Sequence, residues 1–449
     1  MIRIYENPAE ASRILKRWSM LTVDDVPAVV LQSIERVFGE ALTPEEAVAK
    51  LLTEVRATGD EALRSWTQRI DGVIPEALEV PKTAWAAAYD ETLSPDLRAV
   101  LERAAERIRD FHARQPVPSW STDEMGGTLG QRLVPLERVG VYVPGGTAPL
   151  PSSLLMAAIP ARVAGVDEII VCTPADRETG MPSPLILAAA QVAAVDRVFA
   201  LGGALAVAAM AFGTETVPKV DKVVGAGGLF TTIAKRQVYG IVGLDGLYGP
   251  TETVIVADDA ANPVWVAADL LAQAEHDVLA TAILITPSRS LATAVQAEVA
   301  RQTETLSRAR TVEVSLAGQG GIVLTPDLET AVRLADDFAP EHLCLSVGDP
   351  AAWVSKIRNA GGIFVGEHSF EVLGDYVAGP SHIMPTGGTA RFKGPVNILD
   401  FVKVINLIGL DADTAQALAP DAARLAEAES LTAHAAAARL RAVSEKGTL

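Results

Sequence analysis

Apolar residues in the first part of the chain recur at three- and four-residue spacing, which is the pattern of amphipathic helices. The clearest stretches are Thr43–Ala57 and Pro95–Arg114. Their start signals are Thr43-Pro44 and Ser94-Pro95, favourable because the hydroxyl caps the first turn and proline fits its first position. The pattern predicts a helical wrapping for the chain up to about Gln131.

From Val139 onward, short β-branched runs alternate with Ala-rich helical stretches, which predicts parallel strands joined by crossover helices. The first series of predicted strands is Val139–Val143, Glu168–Thr173, Arg197–Leu201 and Lys222–Val224. The second series follows Gly249-Pro250 and comprises Glu252–Ala257, Ala282–Thr286, Gly321–Leu324, Leu343–Val347 and Gly362–Val365. Helices are predicted between these strands near Asn262–His276, Ser288–Gln302, Asp327–Phe338 and Pro350–Asn359.

Two α/β series of comparable size predict two facing, Rossmann-like, doubly wound domains with a small-ligand cleft between them. Residues 139–249 form one predicted domain, and residues 31–138 with 250–393 form the other. A helical N-terminal arm is expected over residues 1–30. Bulky apolar residues thin out after Leu410, so we expect the C-terminal part, residues 394–449, to be a helical arm that packs on another surface.

Composition narrows the class of protein and its partners. The 449 residues are 49% hydrophobic and 21% charged, which is typical of a well-packed enzyme. A net charge of −18 repels nucleic-acid phosphates and anionic lipid surfaces, so neither is an expected partner. The uncharged run Val198–Gly213 is too short to span a bilayer, and the start of the chain lacks the segments of a signal peptide. We expect a cytoplasmic protein.

Cysteine usage argues against a disulfide framework and against a thiolate metal site. The chain has two cysteines, Cys172 and Cys344, in separate predicted strands and without CxxC spacing. We interpret them as buried thiols.

Histidine is more informative, because it both ligates zinc and moves protons near neutral pH. Three of the six histidines occur in polar strings: Gln273 to His276, Glu341-His342, and Asp375 to His382.

The first two strings allow a metal and an acid/base pair. Gln273 and His276 share one face of the last turn of a predicted helix, so one metal ion could bind both side chains. Solvated polar residues at a helix end are the alternative. Glu341 and His342 stand at a helix–strand junction and could be an acid/base pair. Against this role, sites in such sheets usually lie past the ends of strands rather than at their starts.

The third string and the C-terminal histidine leave more than one interpretation open. Asp375 and His382 lie in a glycine- and proline-rich stretch, either a functional loop or a structural one with a buried histidine. Glu429 and His434 are five residues apart, about 140° around a continuous helix. They cannot share a ligand unless that helix breaks, and Thr432 is a candidate cap for a new helix.

Glycine-bearing turns follow three predicted strands, at Val143–Gly146, Leu201–Gly203 and Gly225–Gly228. They allow a close approach of a phosphate or a nucleotide, but none is a GxGxxG fingerprint. Ordinary βα turns are the alternative.

Taken together, these strings resemble the histidinol dehydrogenase family from about Val134 to Arg441. The matching strings are Glu137–Gly146, Ala234–Val238, Gly249–Glu252, Ala267–His276, Ala339–Leu343, Gly374–Tyr376, His382 and Leu431–His434. The resemblance implies oxidation of L-histidinol to L-histidine in two NAD-dependent steps through the aldehyde, with one zinc ion per subunit. It also implies a small-molecule substrate and a homodimer whose C-terminal arm reaches the partner's site.

Carried onto this chain, the resemblance implies a role for each residue of the site. Zinc would be bound by Gln273, His276, Asp375 and His434 of the partner subunit. His342 would be the general base, and Glu341 would activate water for the aldehyde step. The substrate contacts would be Thr251, His382 and Glu429 together with the zinc ligands and His342. Residues 139–249 would carry NAD, which Tyr142 and positions 205 and 228 would contact.

Departures from the family pattern fall on the cofactor side and on one loop. Leu205 stands where the family usually has Gln, and Gly228 where it usually has Asn. Each lost hydrogen bond would weaken NAD binding by roughly 0.5–1.5 kcal/mol. Ser381 stands where the family more often has Asn. These departures leave two alternatives, a paralogous zinc- and NAD-dependent dehydrogenase for another amino alcohol or polyol and a catalytically silent zinc-binding protein. A zinc hydrolase that uses Glu341 and the metal on water is a third alternative.

Overall fold

The computed structural model describes residues 2–16, 26–73, 75–145 and 149–442. The chain divides into two compact units, Met1–Arg114 with Leu136–Phe401, and Gln115–Pro135 with Val402–Leu449. Gly146, the last residue of one predicted glycine turn, lies outside the described residues, as do parts of both predicted arms.

The described residues form the following elements. The strands are β1 (Ile4–Tyr5), β2 (Glu79–Val80), β3 (Trp120–Thr122), β4 (Gly127–Pro135), β5 (Arg138–Tyr142), β6 (Glu168–Thr173), β7 (Arg197–Ala200), β8 (Lys222–Val224), β9 (Gly243–Leu244), β10 (Glu252–Ala257), β11 (Thr281–Thr286), β12 (Gly321–Leu324), β13 (His342–Ser346), β14 (Gly362–Val365) and β15 (Val402–Leu410). The α-helices are α1 (Ser12–Leu15), α2 (Ala28–Phe38), α3 (Pro44–Thr58), α4 (Asp60–Asp71), α5 (Lys82–Ala87), α6 (Pro95–His112), α7 (Pro151–Ala164), α8 (Pro184–Val192), α9 (Gly203–Phe212), α10 (Leu229–Val238), α11 (Pro263–Ala274), α12 (Arg289–Thr303), α13 (Ala309–Gly318), α14 (Leu328–Phe338), α15 (Ala351–Val354), α16 (Glu371–Tyr376), α17 (Ala412–Ala428) and α18 (Thr432–Ala442).

The first sheet, in the first unit, has the strand order β2-β7-β6-β5-β8-β9. β2 pairs antiparallel with β7, and the other neighbours pair in parallel. Helices cover both faces, so consecutive residues of one strand are both buried: Ile169 and Ile170 of β6 are inaccessible to solvent and belong to different apolar clusters. The strand order reverses between β5 and β8, which makes this the topological switch point.

The second sheet, also in the first unit, has the order β1-β12-β11-β10-β13-β14 and is parallel throughout. Its strands are likewise buried on both faces, as Val254 and Ile255 of β10 show. The helix α11 begins as its sequence predicts, since the side chain of Asn262 accepts a hydrogen bond from Val264 N at 3.0 Å and Pro263 takes the first helical position.

The second unit contains a three-stranded antiparallel sheet, in the order β15-β4-β3, and the helices α17 and α18, which pack together. α17 ends at Ala428, and α18 begins at Thr432 after Ser430 adopts a positive φ of 61°. The helix break that the sequence allows between Glu429 and His434 is therefore confirmed. Thr432 is the first residue of the new helix rather than its cap.

The prediction of an α/β fold with two series of parallel strands is confirmed. Every strand predicted in the two series is present, with each end within one residue of the prediction. These strands are easy to recognise because they are buried on both faces and therefore consist of continuous β-branched runs.

In the part of the chain that the structure describes, no helix has the length and apolar character needed to cross a membrane.

The secondary-structure predictions were wrong where a strand is too short to show a periodic pattern or where a region contains both helices and strands. The region up to Gln131, predicted to be helical, also contains β1, β2, β3 and the start of β4. β1 and β2 have two residues each, too few to show a strand period. Within the expected helical arm of residues 1–30, Ile4 pairs with Ile322 at the edge of the second sheet. The C-terminal part contains the strand β15, and the helix predicted over residues 350–359 ends at Val354.

The packing of the N-terminal helices also differs from the expected grouping of residues 31–138 with residues 250–393. Leu51 of α3 and Leu63 of α4 belong to the same buried cluster as Phe199 and Leu205 of the first sheet and its helix α9. The amphipathic pattern of a helix shows that one face is buried, but it does not show which sheet buries that face.

Candidate active site

The predicted acid/base pair lies at the amino-terminal edge of the second sheet. His342 is the first residue of β13 and pairs in register with Thr253 of β10. Thr251 immediately precedes β10, and Glu341 immediately precedes β13. The pair therefore lies at the edge opposite to the carboxyl ends of the strands, where open α/β sheets usually bind ligands.

Glu341 is buried and held by two hydrogen bonds. Its Oε2 atom accepts from the Oγ1 atom of Thr251 at 2.5 Å and from the backbone N of Glu252 at 3.1 Å. Burial raises the pKa of Glu341 to about 7, and the nearby charge of His342 and the two hydrogen bonds oppose this shift. Near neutral pH the carboxyl group therefore populates both protonation states, as general acid–base catalysis requires.

The imidazole of His342 is 3% exposed, and its two nitrogens have different surroundings. Nδ1 lies 3.3 Å from the carbonyl oxygen of Glu252, which can only accept a hydrogen bond, so Nδ1 carries the proton. Among the described residues, Nε2 has no hydrogen-bond partner. Its nearest acidic oxygen is Oδ1 of Asp375, 3.9 Å away. This arrangement leaves Nε2 free to accept a proton.

Glu371 is a further acidic residue of this cluster that was not predicted from the sequence. It is 1% exposed, its Oε2 accepts a hydrogen bond from Thr253 Oγ1, and its Oε1 lies 3.8 Å from His342 Nδ1. Burial raises the pKa of Glu371 well above its ordinary value, and the nearby charge of Asp375 adds to this shift. Glu371 and Asp375 are four residues apart in α16, so they share one helix face. That spacing was the available signal in the sequence.

His382 is placed by hydrogen bonds to both of its ring nitrogens. Its Nδ1 donates to the carbonyl oxygen of Asp375 at 2.7 Å, and its Nε2 lies 3.1 Å from Oγ of Ser153. Since the carbonyl oxygen only accepts, Nδ1 carries the proton and Nε2 accepts from the Ser153 hydroxyl group. Burial lowers the pKa of His382, which also favours the neutral ring. Ser153, at the start of α7, was missed because a serine in a helix start has an ordinary capping role.

Gln273 and His276 lie at the end of α11, which packs against α16. The side chain of Gln273 is completely buried, and neither its Oε1 nor its Nε2 has a hydrogen-bond partner among the described residues. Burial lowers the pKa of His276, while the nearby Asp375 raises it. A neutral imidazole, a carboxylate and a buried amide oxygen without a partner are suitable ligands for a divalent cation.

The described residues contain no group of three or more His, Cys, Asp and Glu side chains that could hold a metal by themselves. The predicted ligand set does not require such a group within one subunit. It takes His276 and Asp375 from one chain, a glutamine as the third ligand, and His434 of the partner subunit. The buried amide of Gln273, which has no hydrogen-bond partner among the described residues, is the local observation that fits a cation ligand.

The predicted cofactor residues lie at the carboxyl edge of the first sheet. Tyr142 ends β5, and its hydroxyl oxygen accepts a hydrogen bond from Gly203 N at 3.1 Å. Gly228 precedes α10, and a Cβ atom at this position would meet open space. Leu205 is 2% exposed and belongs to the apolar cluster beneath α9. Tyr142 and Gly228 thus flank the switch point, whereas the Leu205 side chain contributes to the core.

A cavity of about 710 Å³ lies at the amino ends of β10 and β11 and is lined by Tyr248, Thr281, Phe338 and Phe392 among other residues. The predicted site residues do not line it. The acid/base cluster is therefore defined by its contacts and burial rather than by this cavity.

The structure thus joins five predicted site residues by direct contacts, and the charge of one of them, Asp375, also acts on His276. The joined residues are Thr251, Glu341, His342, Asp375 and His382. Glu429 and His434 belong to the second unit, and both are exposed there.

Cys172 and Cys344 are free and buried, which confirms the interpretation of both as core thiols.

Together the fold and this cluster define an α/β enzyme with closely spaced, buried carboxyl and imidazole groups. The chain belongs to the histidinol dehydrogenase family, whose sequence model matches residues 38–442. The family resemblance that the sequence strings indicated is therefore confirmed.

Individual relatives agree over nearly the whole chain. A histidinol dehydrogenase of Deinococcus radiodurans is 51% identical over 418 residues, which cover 93% of this chain and 95% of the relative. One of Thermus thermophilus is 52% identical over 399 residues, covering 89% of this chain and 95% of the relative. The crystal structure of histidinol dehydrogenase from Elizabethkingia anophelis is similar with a TM-score of 0.88 at 32% identity, over 98% of each chain.

Proposed function

We propose that this protein oxidises L-histidinol to L-histidine through L-histidinal in two NAD-dependent steps, with one zinc ion per subunit. The observation that carries the proposal is the buried pair Glu341–His342, with the free Nε2 atom of His342 facing Asp375. The similarity to named histidinol dehydrogenases along most of the chain supports the choice of substrate.

Four side chains would hold the zinc ion: Gln273, His276, Asp375 and His434 of the partner subunit. The first three are supported by the end of α11 lying against α16 and by the buried amide of Gln273, which has no partner among the described residues. When bound, zinc supplies a Lewis-acid centre that orients the amino alcohol, and NAD takes up the hydride in each oxidation.

His342 acts as the base in the first oxidation. Its Nδ1–H is directed to the carbonyl oxygen of Glu252, so Nε2 is the nitrogen that accepts the substrate's hydroxyl proton. Glu371, 3.8 Å from Nδ1, places a second oxygen on the side of the ring opposite to the substrate. An imidazole that gains a proton at Nε2 therefore keeps the Nδ1–H bond to the carbonyl oxygen of Glu252.

Glu341 acts in the second oxidation, in which a water molecule must add to the aldehyde carbon. Its pKa of about 7 makes it a stronger base than an exposed carboxylate while leaving it partly ionised at neutral pH. The carboxylate removes a proton from the water, whose oxygen becomes the new oxygen of the carboxylate product. Thr251, bonded to Glu341 Oε2, fixes the orientation of the carboxyl group.

The remaining substrate contacts would come from Thr251, His382 and Glu429. The His382 ring is held in one orientation by its hydrogen bonds to Asp375 O and Ser153 Oγ, and it would contact the substrate in that orientation. Glu429 carries a negative charge suited to the ammonium group or the imidazole of L-histidinol. Polar side chains would then contact the substrate on both sides of its amino-bearing carbon.

We further propose a homodimer in which the C-terminal arm of each subunit completes the partner's site. The second unit supports this proposal, because it exposes large apolar side chains that a single chain leaves uncovered. Ile408 of β15, Leu425 of α17 and Leu440 of α18 are 77%, 68% and 80% exposed. Exposed apolar surface of this kind marks an interaction site, and a second copy of the chain would bury it.

A paralogous dehydrogenase for another amino alcohol or polyol is the second candidate, because two positions on the cofactor side differ from the family. Leu205 is a core residue and offers no hydrogen bond, and Gly228 has no side chain. A substrate panel separates the two candidates. We expect the highest kcat/KM for L-histidinol with zinc and NAD, and a higher value for another alcohol would favour the paralogue.

The cytoplasmic location expected from the sequence stays a prediction.

A further inference from the structure

A second buried ionic group lies outside the acid/base cluster. Nζ of Lys235 in α10 is 2.6 Å from Oδ1 of Asp245, and the two side chains are 2% and 0% exposed. Burial lowers the pKa of Lys235, and the carboxylate of Asp245 opposes this shift. Since two charges lose much hydration energy on burial, such a pair is favourable only with good geometry and additional hydrogen bonds.

The additional hydrogen bonds hold one residue of the backbone. Lys235 Nζ donates to the carbonyl oxygen of Gly225 at 2.8 Å, and the backbone N of Gly225 donates to Asp245 Oδ2 at 2.8 Å. The hydroxyl group of Tyr248 donates to the same Oδ2 atom at 3.0 Å. The ion pair therefore fixes both peptide groups of Gly225, and Tyr248 fixes the ion pair.

Gly225 stands at a position where the backbone leaves little freedom. Its φ is +114°, and a Cβ atom would lie 2.2 Å from the carbonyl oxygen of Tyr142, so no other residue fits. Gly225 follows β8 and Tyr142 ends β5, which are the two strands on either side of the topological switch point. The turn Gly225–Gly228 thus lies in the crevice where sheets of this topology bind nucleotides.

We propose that Lys235 and Asp245 are positioning residues that hold the turn Gly225–Gly228 in the shape that receives NAD. This inference rests on the proposed function. A pair that only stabilises the fold would, when removed, lower the fraction of folded protein and so weaken the binding of every ligand. A pair that positions the turn would, when removed, weaken the binding of NAD selectively.

Two variants test the proposal. Tyr248→Phe removes one hydrogen bond from Asp245 and leaves both charges in place, and we expect it to raise the Kd for NAD about two- to tenfold. Lys235→Met combined with Asp245→Asn removes both charges, so no unpaired charge stays buried, and keeps an acceptor for Gly225 N. For this double variant we expect an increase of at least about tenfold. The Kd for L-histidinol in the zinc-loaded protein should stay within about twofold of wild type.

Calorimetric titration with NAD and with L-histidinol, and the KM for each in steady state, give the readouts. Lys222→Met is the matched control, because Lys222 also lies on the first sheet in an ion pair but contacts Asp400 instead of the turn. NAD affinity equal to wild type in Tyr248→Phe and in the folded double variant overturns the inference while leaving the proposed function intact. If the double variant does not fold, Tyr248→Phe decides alone. A wild-type protein that binds no NAD would instead reject the proposed function together with the inference.

Discussion

The Nε2 atom of His342 lies 3.9 Å from the Oδ1 atom of Asp375, and no hydrogen bond joins them. The proposed base and a proposed zinc ligand therefore face the same small space, with the other nitrogen of the ring turned toward Glu252 O. A substrate hydroxyl group in this space would be close to both.

Replacing His342 by Asn should separate catalysis from metal binding. We expect kcat for L-histidinol to fall roughly 10²–10⁴-fold, the usual contribution of a positioned base, while the zinc content stays at the wild-type value. Stopped-flow measurement of NADH formation and metal analysis of the same sample provide the test. His368→Asn is the control, because His368 contacts Trp265 outside the cluster. A wild-type rate in the His342 variant would remove its assigned role.

Gln273→Leu should abolish zinc binding and also stabilise the zinc-free protein. The buried amide makes no hydrogen bond in the described structure, so an apolar side chain of similar size should increase the free energy of unfolding by about 1–3 kcal/mol. Zinc should then no longer raise Tm. Thermal unfolding with and without zinc measures both effects, and Gln302→Leu on the adjacent α12 should retain the zinc response. A Gln273→Leu protein that is stabilised by zinc as strongly as wild type would contradict the ligand assignment.

Glu341 should give opposite pH dependences for activity and stability. With L-histidinal as substrate, kcat should rise with pH through about 7, because the ionised carboxylate activates water. The folded-state pKa is raised from 4.5, so the contribution of Glu341 to stability is complete below about 4.5 and is lost as pH rises through about 7. The slope in this window is at most roughly 1.4 kcal/mol per pH unit.

Glu341→Gln tests both trends, because the amide keeps an acceptor for Thr251 and does not titrate. Denaturant unfolding of the zinc-free variant should lose the pH-dependent component, and its rate with L-histidinal should be low at every pH. An unchanged pH profile for aldehyde oxidation in this variant would assign water activation to another group.

The sequence was most informative where burial leaves a continuous pattern. The strand β6, with the sequence Glu168–Thr173, is recognisable because every interior position is apolar. Asp375 and His382 were found because polar residues in a glycine- and proline-rich stretch are conspicuous, although Asp375 lies in the helix α16 and not in the predicted loop. Glu371 was missed because no helix was predicted there, so its four-residue spacing from Asp375 did not indicate a shared helix face. Only the fold shows that Thr253 and His342 surround it.

The grouping of elements depends on contacts that no local pattern encodes. Ile4 and Tyr5 look like any short apolar pair, yet they pair with Ile322 and Val323 more than three hundred residues later. Position 205 gives a similar lesson. The family pattern marks it as a cofactor contact, whereas in this chain the leucine side chain packs in the core.

Subunit mixing should show whether the C-terminal arm is exchanged. His434→Ala and His276→Ala are each expected to be inactive. If His434 serves the partner's site, their heterodimer has one site with all ligands and one site lacking two. Each heterodimer should then have about half of the wild-type activity, so an equimolar mixture with complete subunit exchange should reach roughly a quarter of the wild-type value.

The control for mixing pairs His276→Ala with Asp375→Ala, whose mutations lie in the same part of the chain. Each site of that heterodimer lacks one ligand, so activity should stay absent. If the His434 and His276 mixture also stays inactive although exchange is demonstrated, His434 serves its own subunit.

The stoichiometry of a complete reaction tests the two-step oxidation of L-histidinol. Zinc-loaded protein is incubated with excess NAD and a limiting, known amount of L-histidinol, and both NADH and L-histidine are quantified. We expect two NADH and one L-histidine for each L-histidinol consumed. One NADH with accumulation of the aldehyde, or no turnover at millimolar L-histidinol, would contradict this expectation.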